Sequence, residues 1–171
     1  MLLRDVVEQV AAAHRVGAAS AGVTVLTHVA GDPAVDADLQ RLRQALGNPM
    51  SIAVRHTPPG GTITPTAHRA PRTAHRTGDD AIIQVADTGS GIEPKDLSQV
   101  FDRFWRAEKS RSRHSGGGGL GLSIVRQLVE AHGGTVCATS VPGTETVFSP
   151  RLPAGSQSAG PQVPRRETRA V

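Results

Sequence analysis

The chain is poor in rings and in sulfur. Among 171 residues there is no Tyr, one Trp and three Phe. A packed interior must therefore be built from Leu, Ile, Val and Ala, and there is no platform of rings on which nucleic-acid bases could stack. Cys137 is the single cysteine, which excludes an internal disulfide framework and a cysteine-rich zinc site. As a lone thiol it is expected to be a small buried apolar residue. No apolar run approaches the ~18 residues of a membrane helix, and Asp5 and Glu8 stand where a secretory leader would carry basic and then apolar residues. The expectation is a cytoplasmic protein with no direct membrane insertion and no nucleic-acid partner.

Charge is present but unevenly placed. The net charge is +4, and from Arg151 onward four arginines face one acid, Glu167, so that end carries +3 of it. One domain is expected over 1–153, followed by a disordered basic tail, 154–171, of Ser, Gly, Pro and Arg.

Leu3, Val6, Val7 and Val10 recur at helical spacing, with Gly17 as a stop, and Val23 to Val29 reads as a strand. Asp38 can cap the next helix, whose apolar stripe runs Leu39, Leu42, Leu46, Met50, Ala53 and ends before Pro58-Pro59-Gly60-Gly61. Pro49 lies inside this helix and predicts a kink. A short strand covers Thr62 to Thr64. Residues 65–80 are basic, rich in His, Arg and Thr without apolar period, and read as an exposed loop. Ala81 to Ala86 is a strand running into Asp87-Thr-Gly-Ser-Gly-Ile92, and Pro94 opens a short helix through about Phe104. A helix starts at Leu120 and stops at Gly133-Gly134. Thr135 to Val141 and Thr146 to Leu152 form a hairpin across Pro142-Gly143, with Pro150 marking an edge strand.

The glycines before the helix at Leu120 do not follow a strand, and there is no Gly-x-x-x-x-Gly-Lys loop, which excludes a dinucleotide fold and a P-loop. They open a helix whose free N–H groups and dipole can receive phosphate oxygens. Asp87 is an acceptor at a strand end, with Gly89 and Gly91 permitting close backbone approach. At 100° per residue Arg41, Gln44, Asn48, Ile52 and Arg55 form one stripe opposite the apolar one.

Four segments in this order, Asn48 to His56, Asp87 to Ile92, Phe101-Asp-Arg-Phe-Trp-Arg106 and Gly119-Leu-Gly-Leu122, resemble the N, G1, F and G2 boxes of the catalytic ATP-binding domain of bacterial sensor histidine kinases. The resemblance covers about Leu2 to Pro153. It implies an α/β class, two-layer α/β sandwich of the Bergerat type, a mixed sheet with helices on one face. It implies ATP and Mg²⁺ as cofactors, with Asp87 receiving the adenine amine and Asn48, Arg55, Gly119, Leu120 and Gly121 around the phosphates. His56 either touches phosphate or sugar or merely ends its helix. Arg106 either reaches the phosphates or is a solvated surface cation. Phe101, Phe104 and Trp105 are expected to pack at the hinge of a lid, and Lys109, Arg111 and Arg113 to be a solvated charge run within it.

The chain departs from the family pattern where a second Asn should hold Mg²⁺: that position is Ile52, which offers a hard cation nothing. Pro49 replaces a Leu and Glu145 a Gly. None of His14, His28, His56, His68, His75, His114 or His132 has the sequence context of the family's phosphate acceptor. The resemblance therefore implies the ATP-binding catalytic subunit of a split sensor kinase. Its partner would be a separate histidine-containing dimerisation or phosphotransfer protein, and indirectly a response regulator. Two other readings keep the fold: an anti-sigma-factor-like regulatory binding protein with serine-kinase layout, and a nucleotide-binding pseudokinase.

Overall fold

The computed structural model describes residues 2–31, 33–71, 78–103 and 120–155. Its first helix, α1 (Leu3–Ser20), buries Leu3, Val6, Val7 and Val10 as their spacing predicts, but it does not stop at Gly17. Alanines carry it onward, since one glycine inside a helix costs only ~1 kcal/mol. It ends before Gly22, whose φ of 71° leaves the helical region.

The expected strand over 23–29 is two short ones, β1 (Thr24–Val25) and β2 (His28–Val29). Helix α2 (Leu39–His56) is capped by Asp38, whose Oδ1 accepts the Arg41 N–H at 2.9 Å. It runs without a break across Pro49, which is buried together with Leu42, Ala45, Leu46, Met50 and Ala53.

β3 (Thr62–Pro71) and β4 (Asp79–Asp87) pair antiparallel from Ile63↔Asp87 to Pro71↔Asp79. This corrects the expected exposed loop: residues 65–71 and 79–80 are strand, while 72–77 lie outside the described residues. Alternate β3 positions are buried, but they are Ile63, Pro65 and Ala67, too small a set to produce an apolar period. The carbonyls of Ile63 and Ala67 accept N–H groups of Leu26 and Ala30, so residues of that parity turn their backbone towards β1 and β2. Pro65 shares the parity and has no N–H. The parallel pairing is interrupted there, between Val25↔Ile63 and His28↔Thr66.

α3 (Pro94–Leu97) is a single turn, shorter than expected. α4 (Gly121–Ala131) leads through Gly133 to β5 (Thr135–Val141) and β6 (Glu145–Pro153), the hairpin expected across Pro142-Gly143. The sheet order is β1-β3-β4-β6-β5, with β2 also on β3. β6 is therefore interior, and Pro150 does not mark an edge. The register with β4 lapses between Ile82↔Arg151 and Val85↔Phe148, the stretch that contains Pro150, and Gln84 Nε2 donates to Ser149 Oγ there at 3.2 Å.

The mixed sheet with helices on one face is the architecture expected. Ile63, Ala67, Ile83, Val85, Phe148 and Leu152 meet the apolar faces of α1, α2 and α4, and the core is aliphatic apart from Phe148, with Phe101 edge-on to it at 6.3 Å between ring centroids. Cys137 is exposed rather than buried, because it occupies an outward position of the edge strand β5. Ala154 N–H and Gly155 N–H still bond Asp79 O and Ala34 O, so the domain's contacts run two residues past 153. The rest of the expected tail lies outside the described residues.

Candidate functional site

The site begins where β4 ends. Asp87 has Ile63 of β3 as its neighbour on one side and Thr146 of β6 on the other, and both Asp87 and Thr146 are buried. Beyond Asp87 the chain must turn at once, because the carboxyl end of α2 blocks its path: Ser90 N–H donates to His56 O at 3.2 Å. A Cβ on Gly89 would lie 2.8 Å from that carbonyl oxygen and 2.5 Å from Asp87 Oδ1. Only glycine fits. Gly91 has φ of 73°, and a Cβ there would meet the Pro142 Cα at 2.6 Å. Thr88 ties the turn to β3, its Oγ1 accepting the Thr62 N–H at 2.9 Å.

Asp87 Oδ1 accepts the Gly89 N–H at 2.9 Å. Burial disfavours the charged form and raises the carboxyl from 3.8 to about 6, against that bond, which lowers it. Near neutral pH the group is a buried acceptor with one hydrogen-bond donor among the described residues, so an external donor would stabilise it.

The hairpin β5–β6 closes over the turn. Gly143 N–H donates to Ser90 O at 2.8 Å, and Ile92 N–H donates to Ser140 Oγ at 2.8 Å. Ser140 Oγ donates to Glu145 O at 2.8 Å and lies 3.0 Å from Thr146 Oγ1. Sequence reasoning passed over both Ser140 and Thr146. An alternating strand pattern gives no sign that Thr146, bonded to Ser140, lies directly across the ladder from an aspartate more than fifty residues away.

The second half of the site lies on the same helix. Asn48 and His56 are eight residues apart on α2, about 12 Å at 1.5 Å per residue. Asn48 Nδ2 donates to Gly121 O at 2.9 Å, joining α2 to the first turn of α4. A carbonyl at this distance fixes the amide's orientation and leaves its oxygen, a hard donor, as the acceptor end. Leu120, 39% exposed, precedes that turn, and its carbonyl accepts from Ser123 Oγ.

Ile52 packs in part against the core and supplies only carbon. Among the described residues no group of three or more His, Cys, Asp or Glu could hold a metal. On this part of the α2 stripe Asn48 Oδ1 is an oxygen donor of the kind Mg²⁺ takes, and Ile52 is not.

Of the sequence-predicted residues, Asp87, Gly89, Gly91 and the His56 carbonyl come together at one end of α2, and Asn48, Leu120 and Gly121 gather along it. Arg55 turns elsewhere. Its Nε donates to Ser51 O at 3.2 Å, and it lines a groove between α1 and α2 with His14 and Ser51. Arg106 and Gly119 lie outside the described residues, as do Phe104, Trp105, Lys109, Arg111 and Arg113.

The family described as histidine kinase-, DNA gyrase B-, and HSP90-like ATPase matches residues 37–156. The sensor-like histidine kinase SenX3 of Mycobacterium tuberculosis is 37% identical over 149 residues, which is 87% of this chain and 35% of that protein. The sensor histidine kinase WalK of Bacillus subtilis is 39% identical over 119 residues, 70% of this chain and 19% of its own length. The chain thus spans about a third or less of these relatives. Among solved structures, the mycobacterial sensor histidine kinase MprB superposes with a TM-score of 0.74 at 25% identity, covering 90% of this chain and 97% of that one. Full-length ShkA in complex with AMPPNP gives 0.75 at 30% identity, over 90% of this chain and 30% of its own.

Proposed function

This chain belongs to the histidine kinase-, DNA gyrase B-, and HSP90-like ATPase family as a catalytic ATP-binding domain of the histidine-kinase type, and from that premise we propose that it transfers the γ-phosphoryl of ATP to a histidine on a separate protein. In this reading Asp87 accepts the adenine amine while Gly89 and Gly91 let the base approach the turn. His56, at the end of α2, is near the sugar or phosphates. Asn48, Leu120 and Gly121 lie around the phosphates, which the first turn of α4 receives on its N–H groups, and the family resemblance assigns Arg106 and Gly119 to the same group; Arg55, turned into the groove between α1 and α2, is left out of it. Mg²⁺ would neutralise phosphate charge when bound, and Asn48 Oδ1 would be an oxygen ligand for it where Ile52 offers none.

The observation that carries the reading is the buried Asp87, held by one described hydrogen bond and shifted to about 6. A carboxylate kept this way gains most from a donor brought by a ligand. The in-trans arrangement rests on the seven histidines, none of which has an acceptor's sequence context. A response regulator is then the indirect partner, and the cytoplasm the expected compartment, at a membrane-bound partner if that partner is a receptor.

With γ-labelled ATP, the chain alone should form no acid-labile phosphohistidine, and a dimerisation domain bearing an acceptor histidine should become labelled when mixed with it. Robust labelling of the isolated chain would overturn the in-trans reading. Ile52 favours one second reading, a pseudokinase that binds nucleotide without turnover. Nucleotide binding with no labelling of any histidine-bearing partner would support that instead.

A further inference from the structure

We propose that Ser140 is a positioning residue that fixes the direction of the Thr146 hydroxyl, so that Thr146 stands beside Asp87 as an acceptor and not as a donor. A count of protons leads to this assignment. A serine hydroxyl has one proton and two lone pairs. Ser140 Oγ donates its proton to Glu145 O at 2.8 Å and accepts the Ile92 N–H at 2.8 Å. One lone pair is left for its third neighbour, Thr146 Oγ1 at 3.0 Å. With Ser140 having no second proton, Thr146 is the donor in that bond. Its own lone pairs are what remain.

Thr146 is the cross-strand partner of Asp87, with both side chains buried. Directly opposed residues of an antiparallel pair hold their Cβ atoms ~4.5–5.5 Å apart, so the two side chains are neighbours on one face of the sheet. Asp87, ionised above about pH 6, is acceptor-only, and Ser140 makes Thr146 acceptor-only as well. The pair therefore favours a donor on the ligand group set against it, and a ligand acceptor at that point meets two lone-pair surfaces. The same hydroxyl holds Ile92, so base selection and the shape of the 87–92 turn are governed by one side chain.

The inference rests on the ATP-binding reading and deepens it: the 6-amino group of adenine satisfies this pair, and the 6-oxo group of hypoxanthine does not. Once Ser140 is removed, Thr146 can rotate and donate to a 6-oxo group. The full chain is titrated with fluorescent ATP and ITP analogues, each variant being checked for folding by circular dichroism.

Wild type should prefer ATP. Ser140→Ala should reduce the ATP:ITP preference by roughly fivefold, the worth of one neutral hydrogen bond, chiefly through tighter ITP binding. Thr146→Val should also reduce the preference, the double variant should lose no more than Thr146→Val alone, and Ser140→Thr, which keeps the hydroxyl, should retain it. Equal weakening of both nucleotides in Ser140→Ala would make the serine a mere staple of the turn and overturn the proposal. So would independent, multiplicative effects in the double variant. Thr146→Val leaves Ile92 and Glu145 bonded, so it carries the test if the alanine variant does not fold; an unchanged preference there is also a refutation. A wild-type chain that binds neither nucleotide would overturn the ATP reading and this inference with it.

Discussion

Replacing Asp87 with asparagine should stabilise the unliganded protein while damaging its nucleotide site. The carboxyl sits at about 6 in the folded chain against an ordinary 3.8, and the cause is burial. A raised acid means that the folded state binds the proton more tightly than the unfolded state. Above pH 6 both states are ionised and the fold bears the whole penalty of the buried charge; between 6 and 4 the penalty disappears as the folded state takes up its proton. At about 1.4 kcal/mol for each tenfold change in proton affinity, the rise from 3.8 to about 6 sets an upper bound of ~3 kcal/mol. For a domain of this size that is a rise of up to roughly 6–12 °C in melting temperature at pH 8, shrinking towards zero near pH 4. The introduced amide is isosteric, and Gly89 N–H needs an acceptor, so the amide oxygen turns to Gly89 and the amide nitrogen faces the ligand. A donor then opposes the adenine amine. Losing a charge-assisted hydrogen bond of about 1.5–3 kcal/mol weakens ATP by roughly 10- to 100-fold. Thermal melts across pH 4–8, with and without ATP, read both effects. A variant no more stable than wild type at pH 8, or one whose advantage is the same at pH 4, would refute the account of the raised carboxyl. Undiminished ATP affinity would remove Asp87 from the site.

Three further outcomes follow from the same geometry. ATP affinity should fall as pH drops through about 6, because a protonated Asp87 offers one oxygen as a donor; titrations at fixed ionic strength from pH 5 to 8 check this, and a flat profile is the contrary result. Gly91→Ala should cost about 2–3 kcal/mol, from positive φ together with the clash on Pro142, whereas Gly31→Ala, at φ of 68° but with open space around it, should cost only ~1 kcal/mol; urea denaturation of the two variants measures the difference. Ile52→Asn should speed phosphoryl transfer to a histidine-bearing partner at limiting Mg²⁺ and make little difference at saturating Mg²⁺, since a second hard donor adds to the one that Asn48 provides; equal single-turnover rates across a Mg²⁺ series would mean that this face of α2 does not meet the metal.

Much of this site could be read from the sequence because its chemistry is local. A strand running into an acid and two glycines has one geometric meaning when the turn is tight, and Gly89 and Gly91 sit where a Cβ would strike backbone. The stripe on α2 was legible for the same reason, since helical periodicity places Asn48 before any tertiary contact is known. What escaped was set by neighbours distant in sequence. Pro65 and Ala67 look like loop, yet they are core-facing positions of a strand whose missing N–H coincides with the gap between β1 and β2. Pro150 looks like an edge residue, yet it lies in an interior strand where the ladder lapses around it and a Gln84–Ser149 bond stands nearby. Prolines reveal where a ladder bond is absent, but not whether the sheet continues on both sides. Ser140 and Thr146 are the most consequential case. Each is an ordinary β-strand hydroxyl, and only the pairing Asp87↔Thr146 and Ser140↔Thr146 places three polar residues side by side across three strands. The candidate site is thus half written in a local motif, where sequence suffices, and half in strand register, where a shift of one residue would turn Thr146 to the opposite face and leave Asp87 without that neighbour.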